Sequence, residues 1–159
     1  MSDPSRSRAP RAEVQPTGAP TLLHEFFAAA VARWPQAPAI DVPPSAERPA
    51  RATFTYAELA HAAVGLAARL RPHVSGECVV AIMVGRGTPL LYAAQLASLQ
   101  VGAAYTYLDR SLPDDHLSHV LTDSGAVAVV VDAAGRARMP ALQRELPCVD
   151  VTTDVTTGG

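Results

Sequence analysis

Seven consecutive apolar residues, Cys78-Val79-Val80-Ala81-Ile82-Met83-Val84, constrain this chain more than any other feature. A strand with one wet face alternates apolar and polar residues. An unbroken run of strand length needs cover on both faces, the condition of a parallel strand between two helical layers. The run is therefore the candidate central strand. Downstream the sequence keeps supplying what such a sheet requires. Thr88 is placed to cap a helix whose first position is Pro89, Leu90 to Gln100 carry it, and Gly102 stands where a C-terminal glycine belongs. A strand follows at Ala104 to Leu108. Pro113 opens a further helix with Asp114 and Asp115 on its positive end, Leu117, Val120 and Leu121 facing inward, and Gly125 ending it. Val127 to Val131 reads as the next strand, Ala141 to Glu145 as a short helix and Cys148 to Val151 as a last strand.

Upstream of the central run the same alternation begins. Leu22, Leu23, Phe26, Phe27, Ala30, Val31 and Trp34 share one helical face after a capping Thr21, and Pro35 stops the run; that face is expected in the core. Ala39 to Val42 and Thr53 to Thr55 are short strands that can pair. Thr55-Tyr56-Ala57-Glu58 has the form of a capping box, and Leu59, Ala62, Ala63, Leu66, Ala67 and Leu70 form the stripe of the helix it opens, closed by Pro72 and Gly76. The expectation is an α/β fold: a mostly parallel sheet with right-handed crossovers and helices on both faces, built from Rossmann-like or flavodoxin-like βα repeats. It should occupy residues 21–152, after a proline- and arginine-rich arm over 1–20 and before a tail over 153–159.

Composition narrows the chemistry. All thirteen basic residues are arginine, so a Schiff-base amine, a P-loop lysine and a lysine that neutralises an acyl-adenylate are all excluded from this chain. A net charge of −2 with scattered arginines gives no footprint for nucleic acid. Cys78 and Cys148 lie in strand-like runs without CxxC spacing and read as small hydrophobes. The N-terminal segment, broken by Pro4, Pro10, Pro16 and Pro20, has no apolar h-region, and no run is long enough to span a bilayer. A cytoplasmic location, away from membranes, is expected.

Ligands of open parallel sheets bind beyond the C-terminal strand ends, so three loops are the candidates. Gly85-Arg86-Gly87-Thr88 reads as a tight strand-to-helix turn or as an anion site; it lacks the third glycine of a dinucleotide loop, whose place Leu90 takes, and the Gly-Lys-Ser/Thr of a P-loop. In Leu108-Asp109-Arg110-Ser111 the carboxylate either touches a ligand or holds the turn by accepting backbone N–H groups. Asp132-Ala133-Ala134-Gly135 carries an acid with no evident partner and reads as a turn. His116 and His119 share a helical face but have no third ligand for a metal, His24, His61 and His73 are isolated, and no Gly-x-Ser-x-Gly elbow is present.

Two segments carry a resemblance. Phe54-Thr55-Tyr56-Ala57-Glu58-Leu59 resembles the first core motif of the adenylate-forming enzymes, above all the adenylation domains of nonribosomal peptide synthetases and the acyl-CoA synthetases. The stretch Leu99 to Asp109, with Leu112-Pro113-Asp114-Asp115-His116-Leu117 and Leu121-Thr122-Asp123-Ser124-Gly125-Ala126, is similar to the second motif and the helix after it. The resemblance covers roughly residues 21–152. It departs at Tyr107 and Arg110, where the family usually has proline.

The resemblance implies the N-terminal subdomain of an enzyme that activates an amino or other carboxylic acid with ATP and Mg²⁺ and passes it to a thiol. It transfers no catalytic, cofactor or metal residue. The matched positions Thr55, Tyr56, Glu58, Leu59, Gly102, Tyr105, Leu108, Asp109, Pro113, Asp123 and Gly125 have architectural roles in the family. The family's lysine-bearing phosphate loop and its later catalytic lysine have no counterpart here, although Thr156-Thr157-Gly158-Gly159 has the flavour of that loop. Three readings follow: part of an adenylate-forming ligase, inactive alone and completed by the rest of the enzyme or serving a carrier protein, including one half of a split enzyme; a remnant used as a protein-binding or regulatory module; or a flavodoxin-like binding domain.

Overall fold

The computed structural model describes residues 21–44, 46 and 49–151. The arm over 1–20, the tail over 153–159 and the Thr156–Gly159 segment lie outside the described residues.

The central run forms β3 (Val79–Met83), with β4 (Ala104–Tyr107), β5 (Ala128–Val131) and β6 (Cys148–Asp150) following it; among the described residues the preceding strands β1 (Pro38–Val42) and β2 (Ala52–Thr55) pair only with each other. The sheet order is β4-β3-β5-β6 and every pair is parallel. β3 therefore has a neighbour on each side. Its residues alternate between two cores because successive side chains of a strand point to opposite faces. Val80, Ile82 and Val84 pack with Ala128 and Val130 under α2 (Tyr56–Leu70) and α3 (Pro89–Gln100), through Leu66, Leu70, Ala94 and Ala97. Ala81 and Met83 pack with Val129 and Val131 under α4 (Asp114–Ser124) and the turn at Met139–Leu142, through Leu117, Leu121 and Leu142. The expected parallel sheet with helices on both faces is the fold observed.

The local signals at α2 act as expected. Thr55 Oγ1 accepts from the Glu58 N–H at 3.2 Å, while a Glu58 carboxylate oxygen accepts from the Thr55 N–H at 2.7 Å. Those contacts, the backbone one first, hold the Glu58 carboxyl below its ordinary pKa. At the helix ends Gly102 (φ 81°) and Gly125 (φ 61°) take the left-handed conformation that a side chain would resist.

Elsewhere the structure corrects the sequence reading. Helix α1 (Leu23–Arg33) forms, yet none of its residues is buried: Leu23 is 66% and Phe26 56% exposed, so its apolar face is not core. Thr21 does not cap it; the Glu25 carboxylate instead reaches back to the Thr21 and Leu22 N–H groups at 2.8 and 2.9 Å. Thr88 precedes α3 without capping, because its hydroxyl donates to the Gly85 carbonyl at 3.0 Å. The largest error lies after β5. The expected turn at Asp132–Gly135 is the start of α5 (Ala133–Arg138), and the expected helix over 141–145 is absent, the chain running through a 3₁₀ turn at Met139–Leu142 into irregular structure. Gly135 gave the turn signal, but its function is close approach. A Cβ there would lie 2.2 Å from the Met83 carbonyl oxygen, so only glycine lets α5 sit against the end of β3.

Candidate functional site at the strand ends

The three loops singled out from sequence do converge beyond the C-terminal ends of β3, β4 and β5. Asp132 joins them. One carboxylate oxygen accepts from the Gly85 N–H at 2.8 Å; the other accepts from Arg110 and from the Gly135 N–H, each at 2.8 Å, so the same side chain also caps α5. The reading of Asp132 as an acid without a partner is overturned. Its side chain is 20% and that of Arg110 30% exposed, so the pair is partly withdrawn from water and stronger than a surface pair. The signal was present in the sequence as an aspartate three residues before a backbone N–H that needs capping; the glycine masked it.

Arg110 in turn is held from behind. The Arg138 guanidinium donates to the Arg110 and Leu112 carbonyls and pairs with Asp114 at 2.6 Å. Asp114 thus does more than face the helix dipole. A Cβ at Gly85 would meet the Arg110 guanidinium at 2.9 Å, so a side chain there would push Arg110 aside.

The outer half of the crest is simpler. Asp109 accepts from the Ser111 N–H at 3.0 Å and from the Ser111 hydroxyl at 2.8 Å, the turn-holding alternative rather than a ligand contact. These bonds, the backbone one first, lower its pKa, with Arg86 adding attraction at 3.0 Å. Arg86 also lies 5.0 Å from the Tyr107 ring, and the Tyr107 hydroxyl donates to the Val84 carbonyl at 3.0 Å. Tyr107, which replaces a proline of the family pattern, therefore ties the ends of β3 and β4 together. With the Gly85 N–H and its carbonyl both committed, the loop Gly85–Thr88 is a tight turn buttressed by Asp132 and Thr88.

The remaining candidates do not join this crest. His116 and His119 are both exposed, and the described residues contain no group of three or more metal-ligating side chains. Cys78 and Cys148 are half-buried against opposite cores, and burial pushes the Cys148 thiol pKa up, which suits packing and not nucleophilic chemistry. Tyr56 packs on the Phe27 ring at 5.8 Å, Leu59 and Leu108 are buried, Tyr105 and Asp123 are exposed, and Pro113 precedes α4 as its cap residue. Within the described residues no helix is long and apolar enough to cross a membrane.

The arrangement is a braced sheet whose strand ends are stitched by side chains, and the motif positions serve caps, turns and core. The sequence profile of the family described as AMP-binding enzyme matches residues 27–158. The chain belongs to that family. AMB antimetabolite synthetase AmbB of Pseudomonas aeruginosa is 34% identical over 145 residues, covering 91% of this chain and 11% of that protein. The crystal structure of the nonribosomal peptide synthetase FmoA3 superposes with a TM-score of 0.68 at 28% identity, over 91% of this chain and 15% of that one. An N-terminal subdomain of Klebsiella oxytoca NpsA, at 22% identity and a TM-score of 0.62, shares the fold over 82% of this chain and 30% of its own length. The chain is thus an N-terminal part of an adenylate-forming domain of the peptide-synthetase type, and it spans about a tenth of the length of that first relative.

Proposed function

We propose that this AMP-binding family chain supplies the braced parallel-sheet subdomain of a cytoplasmic enzyme that activates an amino or other carboxylic acid with ATP and passes it to a thiol, and that it does so only together with further polypeptide of that enzyme. The observation that carries the reading is the joint placement of the two family motifs: Thr55 and Glu58 start the helix that covers one face of the sheet, and Gly102 to Asp109 form its neighbouring strand and turn. Both motifs here shape one rigid unit.

Three features of the crest speak against its holding a triphosphate by itself: the Gly85 N–H is committed to Asp132, the Arg110 charge is spent on the same carboxylate, and the chain has no lysine. In this reading ATP and Mg²⁺ are held by residues of the enzyme outside 21–151, and a carrier protein's thiol is the expected acceptor. ATP–pyrophosphate exchange tests it. The 159-residue chain, offered each of the common amino acids and a set of aryl acids, should give no exchange above a protein-free control, and mixing with the polypeptide that completes the domain should restore it. Exchange by the chain alone would overturn this division of labour.

A further inference from the structure

The contacts at the strand-end crest close on themselves. From α5 the Arg138 guanidinium holds the Arg110 and Leu112 carbonyls of the loop between β4 and α4, and pairs with Asp114 at the start of α4. From that same loop the Arg110 side chain reaches Asp132 at 2.8 Å. Asp132 then starts α5: its carboxylate accepts from the Gly135 N–H and its carbonyl from the Arg136 N–H, each at 2.8 Å. The same short helix carries Arg138, so the ring is complete. The second carboxylate oxygen of Asp132 ties in the end of β3 through the Gly85 N–H, at 2.8 Å.

A ring of this kind couples its links to one another. Helix α5 has only six residues, too few to hold itself without tertiary contacts, and residues 108–113 form neither helix nor strand. Once Arg138 fixes that loop, the Arg110 guanidinium is already placed for Asp132. Once Arg110 holds Asp132, the start of α5 is fixed and Arg138 is delivered to its carbonyls. Each link thus raises the effective concentration of the other. Arg110, Asp132 and Arg138 are all partly withdrawn from water, so solvent does not cheaply replace a broken link.

We propose that the turn after β3, the loop after β4 and α5 form a latch that opens and closes as one unit, in a local opening that leaves the rest of the sheet folded. Leu117 and Leu121 of α4 still cover Val129 and Val131 when it opens. Closed, the latch commits the Gly85 N–H and the Arg110 guanidinium to Asp132. Open, it frees both donors at once, at the end of the sheet where ligands of parallel folds bind.

Native-state hydrogen exchange on the full chain, read amide by amide against urea, tests the latch. The Gly85 and Gly135 amides should show the same protection to within about threefold and the same shallow dependence on urea. The Val127 amide, bonded to the Val79 carbonyl at the opposite end of the sheet, should be better protected and depend on urea steeply. The Arg138 guanidinium spends its bonds on the loop and on Asp114, yet Arg138→Met should speed exchange at both glycines at least about tenfold. Arg110→Met, which keeps the backbone carbonyl that Arg138 grips, should do the same. In the double variant the acceleration should fall short of the product of the two single effects by about threefold or more, because either loss already breaks the ring. The comparison of the parent's own amides needs no variant and stands if one fails to fold. Unequal protection of the two glycines, a steep urea dependence at both, a Gly85 amide indifferent to Arg138→Met, or single effects that simply multiply would each overturn the proposal. None of these readouts involves ATP or an acid substrate, so the latch can fail while the adenylation reading stands, and the reverse.

Discussion

Helices α1 and α4 are the same length, eleven residues each, and both carry an apolar stripe that the sequence marks as core. In α4 the stripe is buried, Leu117 and Leu121 being wholly shielded by β5 and the Met139–Leu142 turn; in α1 nothing is buried and Phe26 is more than half exposed. The difference is in what each helix has to lie on. α4 covers a four-stranded sheet whose strands project side chains towards it, whereas α1 borders the flanks of α2 and α3. An apolar stripe shows that a helix can be packed; only a surface opposite packs it.

That contrast can be broken from the sheet side first. Gly135→Ala should have the largest effect, because its Cβ would lie 2.2 Å from the Met83 carbonyl oxygen and backbone must move to admit it. A loss of about 3 kcal/mol or more is expected, read as a collapse of the urea midpoint or as failure to recover folded protein. An effect below about 1 kcal/mol would mean that α5 does not press on β3.

A matched pair of truncations then measures the two stripes against each other. Leu121→Ala, from a side chain with 0% exposure, should cost about 2–5 kcal/mol. Phe26→Ala, from one that is 56% exposed, should cost within about 0.5 kcal/mol, in spite of the larger group removed. Equal losses in chemical denaturation would place α1 in the core after all.

The smallest effect sharpens the boundary between the regions. Thr55→Ala removes the cap where the hairpin hands over to α2 and should cost about 1 kcal/mol at neutral pH. Because the capping contacts lower the Glu58 pKa in the folded state, their stabilisation is complete above the unfolded carboxyl's pKa and disappears as pH falls through the folded value. The gap in urea midpoint between parent and variant should therefore narrow between about pH 5 and pH 3. A gap that widens in acid would contradict the reciprocal cap.

The same division between local and distant information runs through the strand-end crest. The Thr55–Glu58 box, the Asp109–Ser111 turn and the glycines at 102 and 125 were legible because each bond spans four residues or fewer. Asp132 was misread because two of its partners, Gly85 and Arg110, are 47 and 22 residues away. Arg138 leaves no local signal for the same reason, gripping carbonyls 26 and 28 residues back. The adenylate-forming resemblance identified the family without assigning these partners, since its motifs mark architecture.

By itself, then, the sequence determined the run of strands and helices as far as β5, the parallel two-sided sheet around Cys78 to Val84, and the family, because periodicity, capping and motif spacing are properties of neighbouring residues. Tertiary structure alone decided the order β4-β3-β5-β6, the stitching of the strand ends through Asp132, Arg110 and Arg138, and which apolar faces found cover. Those outcomes depend on groups brought together from distant parts of the chain, and a side chain's periodicity carries no record of what will stand opposite it.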